Sequence, residues 1–447
     1  MSLKIPKPAT KLSPTLLTEN QNRGIGRLFE SDSTLFCADM GFGKTIVTLT
    51  ALAELLEEGV IGRVLIVGPL KVVNTVWRQE AAKWSHTEQL TFAIATGTPA
   101  QRCHAIESDA QIVLINFENL AWACKHYKNN LPFDGLVIDE LSKLKNSGGA
   151  GFKALRHRLH VFKWRAGLTG TPVSEDFEGI YGMTFVLDSG ERLGTRKDLF
   201  MRRYFFPTDY NEYNWELIDP TGVTLLDKVK DLIFVADNAA YKGTLPAIVH
   251  KTVPVTLDSK SRVLYEAMKI DAVIDDITAD NAAVVVGKLA QICSGWLYRE
   301  DEPTLAIHEA KLDALDAMDL SGNVVIAYWY KEDLARLEKR YPAGVTFDGS
   351  EKMIQLWNTG KIKMLFIQPR SAGHGLQLEK GGNTLIWYSP VWSRDLTEQT
   401  EARIWRQGQK HTVNVYTLCV ADSIESEMMK RVDGKGGYAE LLAAHLG

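Results

Sequence analysis

The sequence predicts an α/β protein with two parallel-sheet lobes in tandem, each carrying helical insertions. Short apolar runs alternate with helical patterns up to about residue 172, and a second alternation begins near Asn323. This alternation is typical of parallel sheets with crossover helices. A chain of 447 residues also exceeds the size of one ordinary core. We therefore expect a first lobe at 1–172, a helical insertion at 173–245 and a second lobe with its own helical insertion at 246–447.

The individual elements follow from the spacing of apolar residues. Apolar positions three and four residues apart predict crossover helices at Thr45–Glu57 and Val72–Trp84. The predicted strands are Thr34–Ala38, Arg63–Val67, Ile112–Asn116, Leu136–Asp139 and Trp164–Thr169 in the first lobe, and Val324–Tyr328, Lys363–Ile367, Thr384–Trp387 and Asn414–Leu418 in the second. Functional loops are expected where these strands end, because ligands of open parallel sheets bind at the carboxyl edge.

The composition excludes several classes of protein. With 45% hydrophobic and 24% charged residues, the chain is typical of globular proteins. It has no apolar run of membrane-span length and no apolar signal segment, so we expect a cytoplasmic location and no membrane partner. The five cysteines are scattered without a C-x-x-C pair, which predicts neither a zinc site nor a disulfide framework. With a net charge of −4, any nucleic-acid surface requires lysine and arginine to be concentrated locally.

Residues 38–45, with the sequence ADMGFGKT, follow a predicted strand and open a predicted helix. A glycine-rich loop in this context binds phosphates through backbone N–H groups and the helix N-terminus. Gly41 and Gly43 would let the backbone approach the phosphates, Lys44 would add a full positive charge, and Thr45 would offer a hydroxyl to magnesium. The alternative is a glycine-rich turn with an incidental lysine.

Asp139 and Glu140 end an apolar predicted strand downstream of this loop. Consecutive carboxylates can serve different tasks: Asp139 could hold magnesium, while Glu140 could polarise the water that attacks the γ-phosphate. Such a pair is often only a solvated turn, but its position after a phosphate loop favours the catalytic interpretation.

Further blocks follow in a consistent order along the chain. The acidic pair opens DELSKLKN, and Leu168–Pro172 reads LTGTP. The other blocks are Pro69–Trp84, Lys288–Leu297, Glu309–Leu312, Ser371–Leu378, Ser389–Gln409 and Val413–Glu425. Together they resemble the motifs of the Swi/Snf-like double-stranded-DNA translocases, a branch of helicase superfamily two. The resemblance implies two RecA-like lobes that use ATP and Mg²⁺ and act on double-stranded DNA.

The resemblance also implies roles for matching positions. Gln21 matches the glutamine that reads adenine, and its amide carries the donor and acceptor that this requires; an ordinary surface glutamine is the alternative. Thr169 and Thr171 would couple the ATP site to DNA, or their hydroxyls could simply cap the following turn. Gly375 and Gln399 match other positions that couple the ATP site to DNA in this family.

Arg403 and Arg406 match the arginine fingers of the family and would be catalytic together with Glu140. Their spacing of three predicts that both lie on one face of a helix, aimed into the cleft between the lobes. There they would stabilise the charge that spreads over the γ-phosphoryl oxygens. The alternative is a pair of surface arginines that form ion pairs with Glu398 or Glu401.

Three positions depart from the family's pattern. Ser142 replaces a histidine, Gln377 an asparagine and Trp405 a histidine. In the family, these positions link the state of the nucleotide to DNA binding. The departures are therefore expected to affect this coupling more than ATP hydrolysis. With few residues flanking the motor blocks, the chain resembles a minimal prokaryotic or viral member of the family.

The combined prediction is a DNA-dependent ATPase that moves along double-stranded DNA. Contacts to phosphates would make its binding sequence-tolerant and salt-sensitive. Candidate contacts are Lys71, Lys145 and the pair Arg202–Arg203, although the aromatic neighbours of that pair favour packing of the insertion. A strand-separating helicase on single-stranded DNA or RNA, and a DNA-binding scaffold that hydrolyses ATP weakly, stay open as alternatives.

Overall fold

The computed structural model describes residues 11–170, 177–212, 214–236, 243, 245–274, 279–299, 302–320, 322–370 and 377–434. The chain divides into two compact units. The described part of unit 1 falls in Met1–Tyr241, and that of unit 2 falls in Lys242–Gly436.

Unit 1 is an α/β lobe. Its strands are β1 Ser33–Cys37, β2 Val64–Gly68, β3 Phe92–Ile94, β4 Ile112–Asn116, β5 Gly135–Asp139, β6 Trp164–Thr169, β7 Phe205–Pro207, β8 Trp215–Leu217 and β9 Ile233–Val235. Its helices are α1 Glu19–Glu30, α2 Lys44–Glu57, α3 Trp77–Lys83, α4 Pro99–Ile106, α5 Phe117–Tyr127, α6 Ala150–Arg156, α7 Gly179–Asp188, α8 Lys197–Tyr204 and α9 Val223–Leu226. Seven strands form one parallel sheet in the order β3-β4-β2-β5-β6-β1-β9.

The strands of this sheet are apolar on both faces because helices cover both sides. Along β1, Leu35 packs into one apolar cluster and Phe36 into the other. The same alternation holds for Leu65 and Ile66 on β2. Continuous apolar strands of this kind are what a parallel sheet buried on both faces requires. The five strands predicted for the first lobe are confirmed, whereas the short edge strands β3 and β9 were not predicted.

The segment predicted as a helical insertion contains strands as well as helices. α8 ends at Tyr204, and the chain then forms an antiparallel hairpin of β7 and β8. Further on, β9 joins the first sheet beside β1, and Ala236 N–H continues this pairing by donating to the carbonyl of Cys37 at 2.8 Å. Part of the predicted insertion therefore belongs to the lobe that carries the phosphate loop.

Unit 2 is a second α/β lobe. Its strands are β10 Ile248–Val255, β11 Trp296–Arg299, β12 Glu302–Ala306, β13 Val324–Ala327, β14 Val345–Thr346, β15 Met364–Ile367, β16 Thr384–Trp387 and β17 Val413–Val420. Its helices are α10 Ser259–Ile274, α11 Ala279–Cys293, α12 Ala310–Asp316, α13 Lys331–Arg340, α14 Glu351–Asn358, α15 Arg394–Glu401 and α16 Ile424–Gly434. Six strands form a parallel sheet in the order β10-β17-β16-β13-β15-β14, and β11 pairs with β12 as an antiparallel hairpin. The predicted architecture of two parallel-sheet lobes is confirmed.

No helix in the described ranges has both the length and the apolar character needed to cross a membrane.

Candidate nucleotide site

The phosphate loop lies between β1 and α2, as predicted. Gly41 and Gly43 have φ angles of 87° and 91°, in the left-handed region that favours glycine. Gly43 is the N-cap of α2 and provides no side-chain cap for the first N–H groups of that helix. A helix N-terminus without a side-chain cap is suited to binding an anion.

The ammonium of Lys44 is held inside this loop. Its Nζ donates to the carbonyls of Ala38 at 2.6 Å and Asp39 at 3.2 Å. Loss of solvation lowers the pKa of Lys44, while the nearby carboxylates of Glu140 and Asp139 act in the opposite direction. The loop therefore holds a half-buried ammonium, whose positive charge an anionic ligand would compensate.

The sheet topology brings the acidic pair to the edge that carries the loop. β6 lies between β1 and β5, with Cys37 opposite Thr169 and Asp139 opposite Leu168. Because the three strands are parallel, their carboxyl ends meet at one edge. Ala38 is the first residue of the loop, and its N–H donates to the carbonyl of Thr169 at 3.1 Å. Thr169 is buried at the point where the end of β6 meets the loop.

Each of the two carboxylates accepts a hydrogen bond from a side chain. The indole Nε1 of Trp77, a fully buried residue at the start of α3, donates to Asp139 Oδ2 at 3.0 Å. The hydroxyl of Ser142 donates to Glu140 Oε1 at 2.6 Å. Sequence reasoning placed Trp77 in a motif block and Ser142 among the departures, but it did not assign either contact.

Gln21 contacts the phosphate loop directly. Its side chain and that of Thr18 cap the start of α1 reciprocally, and its Nε2 also donates to the carbonyl of Phe42 at 2.7 Å. The φ of 91° at Gly43 favours glycine, and a Cβ there would lie 2.7 Å from this Nε2 and displace the Gln21 amide. An amide has two donor hydrogens and a carbonyl with two lone pairs. These contacts are therefore compatible with adenine recognition, which stays a prediction for Gln21.

The arginine segment of unit 2 differs from the prediction. α15 ends at Glu401, so Arg403 and Arg406 lie in turns after the helix and do not share a helix face. The reason is tertiary: the carbonyl of Arg403 accepts from Leu378 N–H at 3.0 Å, and the indole of Trp405 donates to the carbonyl of Pro246 at 2.7 Å. Contacts to residues distant in sequence thus replace the next helical turn.

The two arginines have different environments. Arg403 is buried, with 4% of its surface exposed. The side chain of Arg406 is 24% exposed, and its Nε lies 4.0 Å from Oε2 of the buried Glu379. The acids that the surface alternative invoked contact other side chains. Glu398 accepts from Arg394 at 2.6 Å, and Glu401 Oε2 lies 3.0 Å from His250 Nε2.

Gln399 lines a cavity of about 330 Å³ within unit 2, near the ends of β13 and β16. The guanidinium of Arg370 covers the ring of Trp329 at 4.6 Å on the wall of this cavity. Other lining residues include Tyr330, Ser389, Pro390, Trp392, Leu396 and Glu425. The remaining predicted coupling residues, Thr171 and Gly375, lie outside the described residues.

Comparison with known proteins gives a family for the chain. A model of the SNF2-related domain family matches residues 16–294, more than half of the chain. Protein p41 of Acyrthosiphon pisum secondary endosymbiont phage 1 is 32% identical over 442 residues, covering 94% of this chain and 96% of its own length.

Two further matches have lower identity. The DNA repair and recombination protein RAD54 of Oryza sativa subsp. japonica is 24% identical over 514 residues, and this chain spans about half of it, 51%. The SWI2/SNF2 ATPase core of Sulfolobus solfataricus, solved in complex with dsDNA, aligns at 20% identity with a TM-score of 0.46, covering 96% of this chain and 93% of that one. The family match over residues 16–294 confirms the resemblance seen in the motifs: the chain belongs to the SNF2-related domain family of helicase-superfamily ATPases.

Proposed function

We propose that the chain is an ATP-hydrolysing motor that moves along double-stranded DNA. One observation carries the proposal: a glycine loop with a half-buried lysine lies at the sheet edge where β5 ends in Asp139, followed by Glu140. This pairing of a phosphate cradle with two carboxylates is the arrangement that P-loop hydrolysis of a nucleoside triphosphate needs. Membership of the SNF2-related domain family supports ATP as the nucleotide.

The residues at this edge fit a triphosphate with Mg²⁺. Gly41 and Gly43 hold the loop open for phosphate oxygens, and Lys44 supplies the full charge. Thr45 and Asp139 offer a hydroxyl and a carboxylate, the oxygen ligands that Mg²⁺ prefers. Bound there, the metal would offset phosphate charge.

The other proposed catalytic residues act on water and on the developing charge. Glu140 would orient and deprotonate the attacking water. Arg403 and Arg406 would act on the γ-phosphoryl oxygens during turnover, where charge accumulates in the transition state. Thr169 and Gln399 would transmit the state of the nucleotide to the DNA-binding surface.

Duplex DNA as the track is supported by the function of a relative and by exposed basic residues. The rice relative is a DNA repair and recombination protein. On this chain, Arg202 and Arg203 at the end of α8 are exposed, and Lys71 and Lys145 are half-exposed. Phe200, Tyr204 and Phe205 around the arginine pair are buried in an apolar cluster of the first lobe, while the two arginines stay exposed.

ATP turnover measured with matched duplex DNA, single-stranded DNA and RNA tests this function. We expect duplex DNA to stimulate turnover most, and the stimulation to fall as salt rises, because phosphate contacts release counterions. Glu140→Gln is the control and should show no stimulation. Activation by single strands alone would replace the proposal by a strand-separating helicase. Equal rates for wild type and Glu140→Gln would reduce the protein to a DNA-binding scaffold.

Trp77→Phe is expected to raise the Mg²⁺ concentration needed for half-maximal turnover by about tenfold, because residues that orient a metal ligand commonly affect metal affinity by this factor. The substitution retains an aromatic ring but removes the N–H that binds Asp139. Trp84→Phe is the matched control, since it removes an equivalent bond, at 3.0 Å, to Glu80. If both variants fold and have the wild-type Mg²⁺ requirement, Trp77 does not orient a metal ligand.

A further inference from the structure

The backbone at Glu140 is held in an unusual conformation. Its φ of 74° and ψ of 63° place a non-glycine residue in the left-handed region. Such residues are strained and persist where their surroundings impose the conformation, often at functional sites. Glu140 N–H donates to the carbonyl of Leu168 at 3.0 Å. The next residue, Leu141, is fully buried and packs against Gly167. A Cβ at position 167 would lie 2.2 Å from Cδ2 of Leu141.

These contacts fix the backbone of Glu140 but not its side chain. A glutamate side chain has several rotatable bonds, and ordering it costs conformational entropy. The hydroxyl of Ser142 donates to Glu140 Oε1 at 2.6 Å from within the 3₁₀ turn Leu141–Leu144. A hydrogen bond from a neutral hydroxyl to a carboxylate is charge-assisted and short, so it favours one orientation of the acid.

The residue type matters for this contact. Serine has a short side chain with one rotatable hydroxyl, and it stands two residues after the carboxylate that it contacts. The Swi/Snf-like pattern has histidine at this position. The departure therefore provides a compact donor for Glu140, and Ser142 is half-buried beside the acid.

We propose that Ser142 is a positioning residue for ATP hydrolysis, acting by holding the carboxylate of Glu140 towards the attacking water. This inference rests on the proposed function, because it assumes that Glu140 is the catalytic acid–base group. Ser142 does not itself contact the nucleotide in this mechanism. Its removal should therefore affect the chemical step and leave nucleotide binding intact.

The test compares Ser142→Ala and Ser142→Thr by steady-state kinetics with duplex DNA present. For Ser142→Ala we expect kcat to fall about tenfold, the usual order for a lost hydrogen bond to a charged group, with an unchanged KM for ATP. Ser142→Thr keeps the hydroxyl and should restore kcat to near the wild-type value. Ser147→Ala, in the loop that follows, controls for the loss of a serine in this region and should behave as wild type.

A double-mutant cycle with Glu140→Ala then separates positioning from other effects. If Ser142 acts through Glu140, adding Ser142→Ala to Glu140→Ala leaves the residual rate unchanged. A wild-type kcat for Ser142→Ala, a loss that threonine does not restore, or a full additional loss in the Glu140→Ala background would each overturn the inference while the proposed function stands. Wild-type turnover of Glu140→Ala alone would overturn the proposed function and this inference together.

Discussion

Lys44→Ala is expected to weaken ATP binding by about a hundredfold or more and to abolish measurable turnover, as truncating one member of a desolvated charge pair does. Lys44 is the full positive charge inside the phosphate loop, and its Nζ is held there by the carbonyls of Ala38 and Asp39. Without it, the loop presents backbone dipoles alone, while the carboxylates of Asp139 and Glu140 stay at the same edge and repel the phosphates. Binding of a fluorescent ATP analogue measures the effect directly.

Lys83→Ala is a suitable control for this substitution. Lys83 lies in the same unit and forms a partly exposed ion pair with Glu80 at 2.7 Å. Ion pairs near the surface contribute little to stability, so Lys83→Ala should fold and bind ATP as wild type does. Tight ATP binding by a folded Lys44→Ala protein would contradict the assignment of the loop, whatever its effect on turnover.

Arg406→Ala is expected to retain ATP binding and to lose hydrolysis by about a thousandfold, the usual order for an arginine finger. Its guanidinium is partly exposed, and its Nε lies 4.0 Å from Oε2 of Glu379. A finger stabilises the charge that develops on the γ-phosphoryl oxygens in the transition state, so its loss is expected to lower hydrolysis and not ground-state binding. Arg406→Lys keeps the charge but not the planar fork, and we expect it to stay strongly impaired. Single-turnover hydrolysis of prebound ATP separates the chemical step from binding.

Arg340→Ala provides the control for arginine loss in unit 2. Arg340 contacts Glu309, Asp313 and Asp316 on the surface of that unit, and its replacement should leave turnover unchanged. Normal hydrolysis by Arg406→Ala would exclude Arg406 as a finger. Arg403 is less suited to this test because it is buried, and its replacement would disturb packing as well as chemistry.

Much of the fold followed from the sequence because the decisive signals are local. Apolar runs such as Ile112–Asn116 are long enough for a buried strand and too short for a helix. The segment from Ala38 to Thr45 contains its own turn, helix start and charge. By contrast, three-residue strands such as Ile233–Val235 carry too little pattern to be recognised. The place of β9 beside β1 depends on pairing with residues far away in the chain.

The arginine segment shows the same limit. The sequence around Arg403 and Arg406 is compatible with a helix, and the spacing of three predicts that both share one helix face. The helix ends at Glu401 because later residues contact Leu378 and Pro246, which are distant in sequence. No periodicity reports such contacts, since they arise only when separate segments pack together.

The sequence alone determined the two-lobe α/β architecture, the order of the motifs and the residue types at the candidate nucleotide site, because these depend on local patterns within short segments. The hydrogen bonds from Trp77 to Asp139 and from Ser142 to Glu140, and the end of α15 at Glu401, follow from tertiary packing alone. Side-chain direction and long-range hydrogen bonds depend on how strands and helices pack, and packing joins residues that linear spacing keeps apart.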